Sequence, residues 1–550
     1  MPIHSATNGG HGHFFPRQSQ KENKIPHRHA APSAPWPWIN IHDTVDPVQL
    51  ASELPPVPPL CDHASCGGCW KGYPQSRFPN WTEAQVSRSK IANAIANYGR
   101  SADPCVIYRA DVLANGIFKN VPSVVATDKD LDGTWNTVIR TIRPKDIRVR
   151  ALFVKNLSGS VLQMLGTSYN IEPFYFSSSL NWIPSRFQED IQDGKGDHIT
   201  VTLTFLKSMP RQPFTQRQRR SRGPFHGSTS TFDRKQLVDT KTPLPLPSTG
   251  SQLVLDLLSV HLVRNVEGST IISFHPETDS PTTSAEYLHE RIRFAGQSVY
   301  WQKIFQASPD PTFVLLTFIW HAMYAWDEAL EDLYSHIGQL ETSVISTSNM
   351  ELTEELHGIR AHQLHYSSLL EDFRKTVNFI RTAKNPAMES FPKPIRLRSA
   401  ELMKRECSNL MNEIERLDTS RKMVDKQLKN VMNLVFSSVT IEMTDAAVKD
   451  SAGMKQIAFV TMIYLPASFV AGIFGMNIQE INPGTKGTVV HYAATAASFT
   501  LATIWIIIAF QSRHLFEEGT SLWRRLGWPY LLFRQLNGRN SKRPVRNMNA

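Results

Sequence analysis

The sequence predicts a mixed α/β domain, then long helices, then two membrane-spanning helices near the C-terminus. Three observations carry that prediction. Short segments with alternating apolar residues occupy the first half of the chain, and an apolar 4,3,4,3 repeat free of Gly and Pro runs through the second. Two apolar stretches lacking Asp, Glu, Lys and Arg follow it. Bulk composition hides these stretches: hydrophobic residues make up 41% of the 550, because a polar bulk masks one or two short spans.

Residues 1–100 read as a disordered Pro/His-rich tail. Proline-rich runs at 31–35 and 55–59 continue neither a helix nor a sheet ladder. Residues 1–30 lack the apolar core of a secretory signal. They are basic and poor in acidic residues, as in a mitochondrial transit peptide, but show no amphipathic pattern. Five cysteines in 550 residues do not make a disulfide framework. Three of them stand in Cys61-x-His63-x2-Cys66-x2-Cys69, a donor set that suits tetrahedral Zn²⁺, with an incidental cluster as the plain alternative.

Residues 101–310 form the predicted α/β domain. Ile199, Val201, Leu203 and Phe205 alternate with Thr200, Thr202 and Thr204, the pattern of a strand with one wet, β-branched face. Ile147, Val149, Ala151 and Phe153 alternate similarly against Arg148 and Arg150, and residues 253–263 and 270–274 are further strand candidates. Residues 207–250 read as a flexible basic insertion. It carries Arg217, Arg219, Arg220 and Arg222, which suit a solvated loop better than a nucleic-acid site, and ends in a Pro-Leu-Pro-Leu-Pro run.

Residues 311–384 are helical. The apolar stretch 312–326 is too short to cross a bilayer and reads as a buried helix. A stalk helix is expected over 398–456. Met403, Cys407, Leu410, Ile414, Leu417, Val424, Leu428, Val431 and Val435 keep heptad spacing, interrupted only by Arg421. A helix from 398 to 474 would be about 115 Å long, a length that suits an oligomeric stalk.

Spans are expected at 457–477 and 491–511, joined by an outer loop, 478–490, and followed by a basic tail, 512–550. The loop has one Lys and one Glu, whereas the tail carries Arg513, Arg524, Arg525 and further Arg and Lys residues, which places both termini in the cytoplasm. Trp523, Trp528 and Tyr530 suit the inner headgroup layer. A tail facing anionic lipid accounts for the net charge of +10.

The first span ends in Phe474-Gly475-Met476-Asn477. This resembles the CorA magnesium-transporter family, whose signature is Gly-Met-Asn at the outer end of the first of two C-terminal spans. The run from Leu465 and Pro466 to Phe474 is similar to the family's first span. The resemblance implies a homopentamer whose first spans line a pore, with Mg²⁺ as the transported and regulatory ion and no cofactor. It also implies membrane lipid and other copies of the chain as partners, with no nucleic acid. Met454, Ile457, Leu465, Ser468 and Gly472 match pore-lining positions, and rings of the apolar ones can gate by dewetting. Ser451 stands where relatives often carry Asn. Glu480 is kept in the outer loop but is followed by Ile481, Asn482 and Pro483, a departure from the family's more acidic pattern. Glu442 and Asp445 lie near the regulatory acidic positions without mapping cleanly onto them.

The motif also has a physical reading. Mg²⁺ sheds water reluctantly, so a ring of Asn477 amide oxygens can accept hydrogen bonds from a hydrated ion. Gly475 lets backbones approach closely, and Met476 packs the loop. The alternative is that Asn477 merely caps the helix. No nucleophile–base set, phosphate loop or His-Glu-x-x-His helix appears, so an enzyme is not expected. A zinc-transporting relative and a non-conducting membrane scaffold remain as rivals. The plasma membrane is the expected location, with the mitochondrial inner membrane as the alternative.

Overall fold

The computed structural model describes most of residues 51–96, then 104–211 apart from 128, 239–276, 282–346, 350–474 and 488–511, with a few positions outside them. The chain divides into two units, Met1–Val435 and Phe436–Ala550.

In the first unit, helices α1 (Glu83–Arg88) and α2 (Ile91–Ala96) precede strands β1 (Cys105–Leu113) and β2 (Phe118–Ala126). After α3 (Leu131–Trp135) come β3 (Ile147–Lys155), α4 (Gly159–Ser168) and α5 (Phe174–Leu180). Strands β4 (Ser185–Gln192), β5 (Gly196–Pro210), β6 (Leu244–Leu246), β7 (Ser251–Asn265) and β8 (Ser269–His275) complete the sheet. Its order is β2-β1-β3-β8-β7-β5-β4, with β6 on the free end of β7. Every pairing is antiparallel except β3 with β8. The spine is β5 against β7, in unbroken register from Gly196↔Asn265 to Pro210↔Ser251. Gly196 is required there: a Cβ would sit 1.9 Å from the Arg264 carbonyl oxygen.

The expected strands form, but the threonine face is not wet. Thr200, Thr202 and Thr204 are buried, as are their apolar neighbours. One face of the sheet meets helix α8 (Thr312–Ser346), where Phe153 stacks on Phe318 at 5.5 Å. The other is covered by α4, α5 and part of the segment read as tail, with Tyr73, Trp81, Val86 and Ile91 buried against Ile107, Leu152, Val154 and Ile272. The expectation of disorder to residue 100 therefore fails for residues 68–96. The physical reason is that this face has too little other cover, and isolated aromatic anchors supply it without any sequence periodicity. The Tyr73 hydroxyl donates to the Ile171 carbonyl at 2.7 Å, and Thr82 and Gln85 form a capping box at the start of α1. Residues 212–238 of the basic insertion lie outside the described residues. Its end is not a loop, since Leu244–Leu246 pairs with β7.

Helices α6 (Ala285–Gln297), α7 (Val299–Ala307), α8, α9 (Met350–Thr382) and α10 (Lys393–Phe474) follow. The start of α8 is a buried helix, with Phe313, Leu315, Leu316, Phe318 and Ile319 inaccessible. A buried ion pair joins sheet to helices: Arg264 donates to Asp197 and to the Lys384 carbonyl just beyond α9, and its Nη1 reaches Thr312 Oγ1. Removing one partner of such a pair costs about 3–5 kcal/mol, because the other charge is left buried alone.

The heptad seam of α10 is buried within this one chain. Cys407, Leu410, Ile414, Leu417, Val424, Leu428, Val431 and Val435 are all at most 5% exposed. Arg416–Asp327, Gln427–Glu341 and Arg374–Asp418 tie α10 to α8 and α9 at 2.7, 3.2 and 3.8 Å. Exposed pairs of this kind contribute about 0–1 kcal/mol each, so the buried apolar stripe dominates. Up to Val435 the repeat packs against the chain's own helices.

Candidate ion-conducting segment

The second unit contains the C-terminal part of α10 and helix α11 (Val489–Gln511). Both are long and apolar enough to cross a membrane, yet only 11% of the apolar window of α10 is buried and none of that of α11. Ile457, Val460, Leu465, Phe469, Val490 and Leu501 are all more than half exposed. Apolar surface on this scale calls for a non-aqueous environment or for partners.

The polar groups fit that environment. Thr461 donates to the Ile457 carbonyl, and Thr495, Ser498, Thr500 and Thr503 each donate to the carbonyl four residues earlier. These hydroxyls are satisfied inside their own helix, as lipid demands. Pro466 lies inside α10, where it removes one backbone donor; membrane helices tolerate this when neighbours re-satisfy the freed carbonyl.

Of the sequence-predicted pore residues, Met454, Ile457, Leu465, Ser468 and Gly472 fall within about 80° of arc at 100° per residue. All five are exposed, and a Cβ on Gly472 would meet nothing within 4 Å. Pro466 and Val470 are buried on the opposite side of the helix. Glu442 and Asp445 lie exposed on α10 beyond the buried seam. Gly475, Met476, Asn477 and Glu480 lie outside the described residues, as does Cys66. In the first unit, donor atoms of Cys61, His63 and Cys69 do come together, all within 4.8 Å of one another.

The arrangement is then a long helix, described as far as Phe474, that changes from a buried heptad seam to an exposed apolar face. Residues 251–512 match the family model described as CorA-like Mg²⁺ transporter protein. That segment belongs to the CorA-like family. It opens at β7, contains the whole of α10 and α11, and includes the Gly-Met-Asn positions; β1 to β6 and the Cys/His cluster precede it. The chain is CorA-like in architecture too: an α/β domain, a long helix and two apolar C-terminal helices.

Among solved structures, the complete CorA magnesium transporter from Methanocaldococcus jannaschii is 13% identical, covering 73% of this chain and 96% of its own, with a TM-score of 0.40. The full-length CmaX protein is 11% identical, covering 74% and 98%, at 0.39. The soluble domain of CorA from the same archaeon is 11% identical, covering 60% and 96%, at 0.35. No curated protein sequence matches the chain.

Sequence reasoning missed one set of residues. Glu189, His198 and His261 bring their donor atoms within 4.8 Å of one another in the sheet. The only signal was that His198 shares the parity of Thr200 in β5; His261 enters through strand register, which no single segment displays.

Proposed function

We propose that this protein is a gated channel that carries hydrated Mg²⁺ into the cytoplasm through a homopentameric pore lined by the first span. The observation that carries the reading is the placement of Gly475-Met476-Asn477 directly after an exposed apolar helix, inside the segment that matches the CorA-like family. Asn477 is the selecting residue, offering one neutral amide oxygen per subunit to the water shell of an ion that dehydrates reluctantly. Gly475 and Met476 shape the mouth, with Glu480 beside it. Met454, Ile457 and Leu465 form apolar constrictions, with Ser468 and Gly472 on the same face. Glu442 and Asp445 are the candidates for a regulatory Mg²⁺ site. Both termini lie in the cytoplasm, and the basic tail meets anionic lipid of the plasma membrane.

The test is Mg²⁺ influx into proteoliposomes carrying the purified protein or its Asn477→Ala variant. Influx in the parent and at least a tenfold loss in the variant is the expected result. A parent that passes Zn²⁺ but not Mg²⁺ would move it to a zinc transporter of the same fold. Correctly inserted oligomer that passes neither ion would make it a scaffold.

A further inference from the structure

Three side chains from three adjacent strands converge on the sheet face covered by α5. Glu189 of β4 stands directly opposite His198 of β5, and Thr200, two residues on, stands opposite His261 of β7. Residues opposite each other, and residues two apart on a strand, share a face, so the register itself gathers the three. The His198 and His261 rings lie 5.2 Å apart, nearly perpendicular at 86°. Thr200 Oγ1 bonds His261 Nδ1 at 2.9 Å; with the proton on Nδ1, the Nε2 lone pair is left for the cluster. His261 is inaccessible and His198 is 7% exposed. Among the described residues, His261 Nε2 and His198 Nδ1 are buried with no hydrogen-bond partner, and the buried Glu189 carboxyl meets only the Glu172 carboxyl. Buried polar atoms are nearly always satisfied, so unpartnered imidazole nitrogens facing a buried carboxyl at one point call for a missing partner.

We propose that Glu189, His198 and His261 bind a zinc-class divalent ion, with Thr200 orienting His261 from behind. Two imidazoles and a carboxylate suit a borderline transition ion, whereas Mg²⁺ prefers oxygen ligands alone. Thr200 supplies the outer hydrogen bond that metal-bound histidines carry. The site is distinct from the proposed pore, and its ion is a resident of the α/β domain.

The experiment strips the full-length protein of metal in detergent, reloads it with Zn²⁺ or Co²⁺, desalts it and measures bound metal. A Cys61→Ser/Cys69→Ser background removes thiolate sites. The expected result is one Zn²⁺ per chain, not displaced by millimolar Mg²⁺, with visible Co²⁺ absorption that lacks thiolate charge-transfer bands. His261→Gln and Glu189→Gln should lower zinc affinity at least tenfold, and Thr200→Val by about 10–100-fold. Failure of the reloaded parent to retain zinc overturns the proposal, and so does equal retention in all three variants. The Co²⁺ spectrum is read on the background protein, so the test holds even where a variant fails to fold.

A second cluster stands on separate observations. Cys69 Sγ lies 3.3 Å from His63 Nδ1, near the roughly 3.5 Å sulfur–nitrogen edge of a tetrahedral zinc site, and Cys61 Sγ completes a triangle of donors. His63 has a left-handed backbone, φ 58°, a conformation that a non-glycine residue holds only when its surroundings impose it. Arg140 Nε holds the His63 carbonyl at 2.9 Å, and the ring packs edge-on to Trp135. We infer that Cys61, His63 and Cys69 hold a structural Zn²⁺ beside Trp135 of α3. Co²⁺ loading of the full chain should produce intense thiolate charge-transfer absorption. Cys61→Ser and Cys69→Ser should remove it, while Cys407→Ser leaves it intact. Absence of that absorption in the reduced parent, or its survival in both variants, overturns the assignment.

Discussion

Helix α10 has two stretches made of similar residues in opposite settings. Over 403–435 its apolar residues keep heptad spacing broken only at Arg421, mostly polar residues fill the remaining positions, and the apolar seam is at most 5% exposed from Cys407 to Val435. Over 457–473 apolar residues occupy every side of the helix, no charge intervenes, and Ile457 and Leu465 are 69% and 65% exposed. The difference teaches that a stripe and a sleeve have different partners. A stripe about a third of the circumference wide is completed by neighbouring helices in water. A helix that is apolar all round has no wet face and is completed by lipid and by other spans.

The sharpest way to break this comparison is a charge in the stripe. Leu417→Asp should abolish folding of the first unit, because the carboxylate would be buried with no partner; loss of protease resistance in that region reads it directly. Truncation is milder. Leu417→Ala should destabilise the first unit by about 2–5 kcal/mol, measured by denaturant unfolding of the full chain in detergent. In the sleeve, Ile463→Arg should lower membrane insertion by about 2.5–3.5 kcal/mol in a translocation assay and leave denaturant stability of the first unit unchanged. Met423→Ser, on the exposed side of the seam helix, should change stability by no more than about 0.5 kcal/mol. Equal sensitivity of Met423 and Leu417 would mean that the seam packs against a second copy as well as against its own chain.

Much of the fold was legible because its signals are local. The alternation in β5, the heptads of α10 and the two uncharged stretches each lie within one segment, and so does Gly475-Met476-Asn477. Residues 68–96 escape such a reading because Trp70, Tyr73 and Trp81 stand singly among prolines and glycines and show no period. The threonine face of β5 misleads for the complementary reason: alternation reports that two faces differ, not that one of them is wet.

By itself the sequence determined β3, β5, β7 and β8, the long later helices, the apolar stretches and the motif that follows the first of them, since each depends on residues a few positions apart. Tertiary structure alone decided what covers what. It closed the heptad seam on the chain's own helices, laid an aromatic segment over Ile107, Leu152, Val154 and Ile272, and set Glu189 and His198 beside His261, more than sixty residues further on. The reason is physical: burial and ligand geometry depend on strand register and on which surfaces lack cover, and both exist only once distant segments have met.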